Sequence, residues 1–454
     1  MRDELTALVR SGEVHPRELV AEALRRIEHR DGELGAVVAL RGDEALAEAE
    51  SVARSRPLAG LPLLVKDLSN VAGMRTTMGS PWLEEAPVAS SDDLVVSRLR
   101  AAGAIVVGKS NTPAFGHTGF TTNQVFGTTR NPWNTERSPG GSSGGSAAAL
   151  SAGLVALATT SDGGGSVRLP ASACGLVGYK PTTGAVGRDV RPSWPTFSTL
   201  GATATTVADV LTEARVIVGG TPGDPMSIPA SATNLVPRSP TRVIATPTFR
   251  SDVDDDVRAA FDAACASFEA AGVEVELRSG LLPTDATLAW FTIACADLAN
   301  ALEPYRDRWD TAEDSLAFML ALGSEVSLSD YLAAERTRWQ LAAAVDAIVA
   351  EAARPDTILM SPVANVGSWG PEGPLPTRAG STDDPAVATN TTDLNMTGHP
   401  AVSVPTGTDA HGVPIGMQLV SARYDDGLAL GAAALLERVA PWQLHPEGYT
   451  PFAI

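Results

Sequence analysis

The chain has 454 residues, 44% of them hydrophobic, and carries 53 Asp and Glu against 34 Lys and Arg, a formal net charge of −19. That acidity argues against a nucleic-acid partner, because such a surface repels phosphate backbones. The three cysteines, Cys174, Cys265 and Cys295, are widely spaced with no CxxC pair, which argues against a disulfide framework or a structural zinc site.

Met1-Arg2-Asp3-Glu4-Leu5 opens a charged amphipathic pattern rather than an apolar signal core, and no apolar run is long enough to span a bilayer. A cytoplasmic chain with no membrane partner is therefore expected. Residues 1–55 are expected to be helical. Leu5, Leu8 and Val9 recur at helical spacing, as do Leu19, Val20, Ala23, Leu24 and Ile27. Gly60–Val65 is a candidate buried strand ending at Lys66. A helix over 92–102 and a β-branched strand over Ala104–Val107 follow. Gly and Ser dominate 138–146, ahead of an Ala-rich helix and the short apolar segment Leu154–Ala158. This alternation predicts an α/β fold. From about 220 to 350, Pro, Asp and Ala rise and helical patterns over 254–272 and 326–351 take over, with Val243-Ile244-Ala245 as one more core strand. Val366 to Asn390 is rich in Gly, Pro, Ser and Thr and is expected to be a long surface loop.

Two serines stand out because each is framed by glycines: Ser142 in Gly140-Gly141-Ser142-Ser143-Gly144-Gly145, and Ser166 after Asp162-Gly163-Gly164-Gly165. Lys66 ends the apolar run upstream. Serine needs an adjacent base to act as a nucleophile, and lysine is such a base only if burial lowers its pKa. Glycines let backbone N–H groups approach a reacting carbonyl. Together these are the parts of a Ser-Ser-Lys catalytic device. Asp67 is a possible salt-bridge partner of Lys66, which would raise the lysine pKa. Asp162 and Arg168 flank Ser166 and are expected to form an ion pair that fixes the loop, or a helix cap. Trp290, Phe291, Trp309, Tyr331 and Trp339 are expected to be mainly core, with one or two lining a pocket.

Two familiar patterns fail on context. Gly103-Ala104-Ile105-Val106-Val107-Gly108-Lys109-Ser110 matches the phosphate-loop pattern, but its interior is itself the predicted strand. Gly140–Gly144 matches the nucleophile elbow of α/β-hydrolases, but Asn131–Pro139 before it reads as loop, where an elbow needs a strand.

In the lysine segment Val65–Ser80, in Val95–Asn111, in the serine block through Ala171, and in the C-terminal motifs Asn395–Pro405 and Gly412–Val420, the chain resembles the amidase signature family. The resemblance covers nearly the whole chain. It implies an α/β/α sandwich around a large mixed, mostly parallel sheet in one domain, residues 1–454. Helices fill about 1–55, the signature core about 60–215, a variable helix-rich pocket region about 220–350, and C-terminal core motifs about 355–454. It also implies amide hydrolysis. Ser166 is the nucleophile, Ser142 the proton relay and Lys66 the base, with the backbone N–H groups of Gly163, Gly164, Gly165 and Ser166 as oxyanion hole. Gly116, His117, Thr118 and Gly141 are implied substrate contacts, Asp162, Arg168 and Asp67 structural residues, and no cofactor or metal is needed. Ala114 and Ala202 depart from the family pattern, where glutamate and proline are common. The expected partner is a small-molecule amide, with aryl amides or carbamates (urethanes) favoured. The alternatives are a glutaminase-type subunit of a tRNA-dependent amidotransferase and a non-catalytic binding protein on the same fold. Monomer and homodimer both stay open.

Overall fold

The computed structural model describes residues 1–189, 192–249, 253–283, 286–351, 353–375 and 389–454. Helices α1 (Arg2–Ser11), α2 (Pro16–Leu34) and α3 (Gly42–Ala49) occupy the first fifty residues, as the periodicity predicts. The second begins on a capping box: the His15 ring accepts the Arg17 N–H, while the Glu18 carboxylate takes the His15 N–H at 2.7 Å. Its stripe of Leu19, Val20, Ala23 and Ile27 is buried. One segment there departs from the helical expectation. Val37–Leu40 forms strand β1, because a β-branched run beyond the helix end finds the open edge of a sheet.

The next elements are β2 (Pro62–Lys66), α4 (Leu94–Ala101), β3 (Ile105–Ser110), a small hairpin of β4 (Thr122–Asn123) and β5 (Gly127–Thr128), and α5 (Gly144–Ser151). Then come β6 (Leu157–Ala158), β7 (Thr160–Asp162), α6 (Arg168–Ala173), β8 (Val177–Lys180), β9 (Thr199–Ala204) and α7 (Val207–Ile217). The variable region holds β10 (Arg242–Ala245), α8 (Asp255–Ala270), β11 (Glu274–Leu277), α9 (Ala286–Ala301), α10 (Asp314–Glu325) and α11 (Leu328–Val349). The chain then adds β12 (Thr357–Pro362), α12 (Thr392–Thr397), β13 (Ala401–Thr408), β14 (Pro414–Val420) and α13 (Asp426–Val439).

The strands form a four-stranded sheet, β1-β3-β2-β6, and an eight-stranded sheet, β11-β10-β12-β14-β13-β8-β9-β7. A single residue, Thr159, separates β6 from β7, so the two sheets meet end to end in one strand path. Side chains alternate between two helical layers. Val243, Ala245, Ile358 and Met360 join α8 and α13 on one face. Ile244 and Leu359 meet Val345, Ile348 and Val349 of α11 on the other. The α/β/α sandwich around a mixed sheet is therefore present, but the expected majority of parallel pairs is not. Only β2–β3, β2–β6, β10–β11 and β10–β12 run parallel among the described residues. The C-terminal motifs are the reason. They form a hairpin, β13–β14, across a tight turn in which Asp409 Oδ1 accepts the N–H groups of His411 and Val413, and both of its strands pair antiparallel with their outer neighbours.

Of the expected surface loop, residues 376–388 lie outside the described residues. The described parts, 366–375 and 389–390, hold no helix or strand beyond an isolated bridge from Thr389 to Ala364, yet Trp369 is buried against Leu169 and Val363.

Candidate active site

Lys66 sits at the join between the sheets. Its N–H donates to Thr159 Oγ1 at 2.8 Å, which anchors the end of β2 to the residue between β6 and β7. The side chain is buried, and Nζ lies 2.8 Å from Ser142 Oγ, 2.9 Å from Ser143 Oγ and 3.1 Å from Ser161 Oγ. Burial pulls its pKa from 10.5 down to about 7, against the opposing pull of the Asp162 carboxylate. Asp67 does not pair with it. The Asp67 carboxylate is 2.7 Å from Lys109 Nζ, and Thr77 donates to its other oxygen through both N–H and hydroxyl. The lysine of the phosphate-loop lookalike thus serves as a buried ion partner, on a strand, as the context test predicts.

Ser142 follows a cis Gly141–Ser142 peptide bond just ahead of α5. Glycine is required at 141, since a Cβ there would stand 2.6 Å from the Phe120 backbone nitrogen. Ser166 lies in the loop between β7 and α6, and that loop is braced from several sides. The Asp162 carboxylate accepts the N–H groups of Gly165 (2.8 Å) and Val167 (3.1 Å), Nε and Nη2 of Arg168 (3.0 and 2.9 Å) and Nδ2 of Asn395 (2.8 Å). Burial by itself would raise the Asp162 pKa, but Arg168, Lys180 and Asn395 outweigh it and hold it at about 2. Arg168 reaches on to Gln418 (2.8 Å), the Thr391 carbonyl (3.0 Å) and Asn395 Oδ1 (2.6 Å). The ion pair expected from the sequence is present and fully buried.

Three successive carbonyls of the loop are also held. Asn395 donates to Asp162 O, Trp290 Nε1 to Gly163 O at 2.9 Å, and Thr391 Oγ1 to Gly164 O at 2.6 Å. Peptide planarity then turns the N–H groups of Gly163 and Gly164 away from those donors. The Gly165 N–H is committed to Asp162 Oδ1, so it is not available to an oxyanion, contrary to the sequence expectation. The N–H groups of Gly163, Gly164 and Ser166 have no acceptor among the described residues. Gly165 has a different necessity: its φ is +131°, and a Cβ would meet Thr391 Oγ1 at 2.3 Å.

Ser142, Ser161, Gly163 and Ser166 share the wall of a cavity of about 240 Å³, with Gly116, Met78, Phe115, Trp194 and Leu200 around them. Met78 and Phe115 hold φ values of 50° and 52°, a strained conformation of the kind that clusters at binding walls. Of the four implied substrate contacts, Gly116 alone lines this cavity. His117 is turned away, with Nδ1 2.6 Å from Ala114 O and Nε2 2.7 Å from Ser315 Oγ, and burial lowers its pKa to about 4. Thr118 donates to Phe120 O, and Gly141 packs under the Phe120 backbone. Trp290 braces the Ser166 loop from outside the cavity, while Trp339 is 78% exposed on α11. Sequence reasoning alone missed Ser161, Thr159, Thr391 and Trp194. Ser143 in the first Gly/Ser block, and Asn395 and Gln418 in the C-terminal motifs, take roles here that the motifs by themselves did not assign.

The amidase family profile matches residues 18–430. A glutamyl-tRNA(Gln) amidotransferase subunit from Synechococcus sp. (strain CC9605) is 35% identical over 95% of this chain and 94% of its own length. An acylamidase of Rhodococcus erythropolis is 31% identical over 97% and 95%. The crystal structure of a bacterial aryl acylamidase of the amidase signature enzymes superposes with a TM-score of 0.87 at 27% identity, over 96% of this chain and 95% of that one. The profile spans most of the sequence and the relatives run nearly end to end, so the chain belongs to the amidase family.

Proposed function

We propose that this amide-hydrolysing enzyme cleaves a carboxamide or related acyl–N bond through an acyl-enzyme on Ser166, with Ser142 as relay and Lys66 as base. One observation carries the reading: a buried lysine amine, poised near neutrality, lies 2.8 Å from Ser142 Oγ, and that serine shares a cavity wall with Ser166. Neutral Lys66 takes the Ser142 proton as Ser142 takes that of Ser166, and Ser166 Oγ bonds to the carbonyl carbon. The N–H groups of Gly163, Gly164 and Ser166 receive the developing oxyanion. Collapse breaks the C–N bond, the amine leaves with the proton returned through Ser142, and water repeats the sequence on the ester.

The substrate is a small-molecule amide, and aryl amides or carbamates are the proposed members of that class. The apolar wall of Met78, Phe115, Trp194 and Leu200 supports them. Among the described residues no single helix is long and apolar enough to cross a membrane, and a cytoplasmic location is part of the proposal. Amine release by the purified chain from aryl amide, ester and carbamate probes, with Ser166→Ala as control, tests it. Release that survives in the variant rejects Ser166 as nucleophile.

A second reading, a glutaminase-type subunit that works with a companion chain, is favoured by the 35% identity to a component of a tRNA-dependent amidotransferase. Glutamine hydrolysis seen only with a co-purified partner would select it. Fluorophosphonate labelling of Ser166 would reject a non-catalytic role on the same fold.

A further inference from the structure

The cavity beside Ser166 has a neighbour of about 230 Å³, and Arg188, Asp189, Pro192 and Ser198 stand in the walls of both. Arg188 occupies this junction from the segment between β8 and β9. Its backbone is fixed, since its N–H donates to Asp224 Oδ2 at 3.0 Å and the other oxygen of Asp224 accepts the Met226 N–H. Its guanidinium is half-buried and donates to Ser198 Oγ at 2.9 Å, which uses one of five N–H donors. No carboxylate forms an ion pair with it among the described residues. Burial draws its pKa from 12.5 to about 10, with Asp224 opposing from a distance.

Three carboxylates also stand in these walls: Asp224, whose two oxygens accept the N–H groups of Arg188 and Met226, Asp93 and Asp189. Asp93 Oδ2 accepts the Asn70 N–H at 2.9 Å and braces that loop. Asp189 is exposed to solvent, and its charge acts on Asp93 and Arg98. A partly desolvated guanidinium with spare donors suits an acceptor, and its fork matches a carboxylate.

We propose that Arg188 determines specificity in this cavity, and that the preferred substrates are amides whose acyl chain ends in a carboxylate, held at the junction of the two chambers while the scissile carbonyl meets Ser166. This rests on the amidase reading above. Hydrolysis of succinyl, glutaryl and adipyl p-nitroanilides is compared with that of chains of equal length ending in methyl or in ammonium. A charge-assisted pair predicts that at least one carboxylate chain exceeds its methyl counterpart by about ten-fold or more in kcat/KM. Arg188→Leu should abolish that ratio, chiefly through KM, and Arg188→Lys should keep part of it. Equal rates for the carboxylate and methyl series overturn the proposal, as does a ratio that survives in Arg188→Leu or a preference for the ammonium series. Glutarate and adipate are titrated calorimetrically into Ser166→Ala, with and without Arg188→Leu. If no anilide is cleaved, the amidase reading fails while the titration still decides Arg188: heat lost with the side chain supports it, and heat that is absent or unchanged rejects it.

Discussion

A lysine amine serves as a base only while it is neutral, and the surroundings of Lys66 suit that form. A neutral amine offers two N–H donors and one lone pair. The Ser143 hydroxyl donates to Ser161 O at 3.3 Å, so it accepts from Lys66, and the lone pair is left for the proton of a serine. The pKa of about 7 then sets the pH dependence. On the proposed mechanism, Lys66 binds a proton below it and catalysis should stop, while above it the base is free. Plots of kcat/KM against pH should rise through an inflection near 7 and then level, with about a tenfold loss per unit below it. A profile flat down to about pH 5 would remove Lys66 from the role of base. The same shift bears on stability. The folded pKa is depressed, so between about 7 and 10.5 the unfolded chain binds more protons at this site, and this contribution to stability rises with pH across that window. Substitution tests the unit directly. Ser166→Ala and Lys66→Met should each lower kcat/KM by about 10³-fold or more, and the double variant little further, because members of one unit are not additive. Ser142→Ala should cost less, since a water can stand in for a relay. A Ser142→Ala variant with full kcat would show that the relay is not needed.

At the scale of elements, the Ser166 loop is held by segments distant in sequence. Arg168 at the start of α6 ties β7 through Asp162, β14 through Gln418 and α12 through Asn395, with every partner buried. Arg168→Met keeps the volume but leaves the Asp162 charge unpaired in the interior. Removing one partner of a buried pair predicts a loss of about 3–5 kcal/mol, read as a lower urea midpoint, together with a drop in kcat as the loop loses its shape. An unchanged midpoint would mean that Asn395 and the loop N–H groups satisfy Asp162 on their own. These ties also explain how much could be read in advance. The glycines around Ser142 and Ser166 and the apolar run before Lys66 were legible because local chemistry demands them. The helices of the first fifty residues followed from hydrophobic period, the strand expected over 104–107 from its β-branched run, and the helix after the first Gly/Ser block from its alanines. The pairing of Asp67 with Lys109, and of Asn395 and Gln418 with Arg168, was not legible, because it depends on register between strands and helices far apart in the chain. The direction of strand pairing was hidden for the same reason. Val37–Leu40 went unread because four residues carry too little periodicity to outvote the helices beside them.

At the scale of the whole molecule, the active site is assembled across the join between the sheets. Lys66 comes from the four-stranded side, Ser166 from the end of the eight-stranded side, and Thr159 lies between them. Arg2 staples the same join. It is fully buried, with Nε on Ala156 O just before β6, Nη2 on Thr203 O in β9, and Nη1 on both Asp209 O and the Glu213 carboxylate of α7. Burial raises the Glu213 pKa to about 7 even with Arg2 opposing. Arg2→Met should therefore destabilise by about 3–5 kcal/mol, the cost of stranding a buried partner together with two backbone carbonyls that bridge the sheets. If that bridge aligns Lys66 with the Ser166 loop, kcat/KM should fall in Arg2→Met at temperatures where circular dichroism still reports a folded chain. Arg2→Lys retains the charge but not the fork, and should recover stability better than activity. If Arg2→Met lost stability while its folded fraction kept full kcat/KM, Thr159 and the strand path would hold the join without the staple.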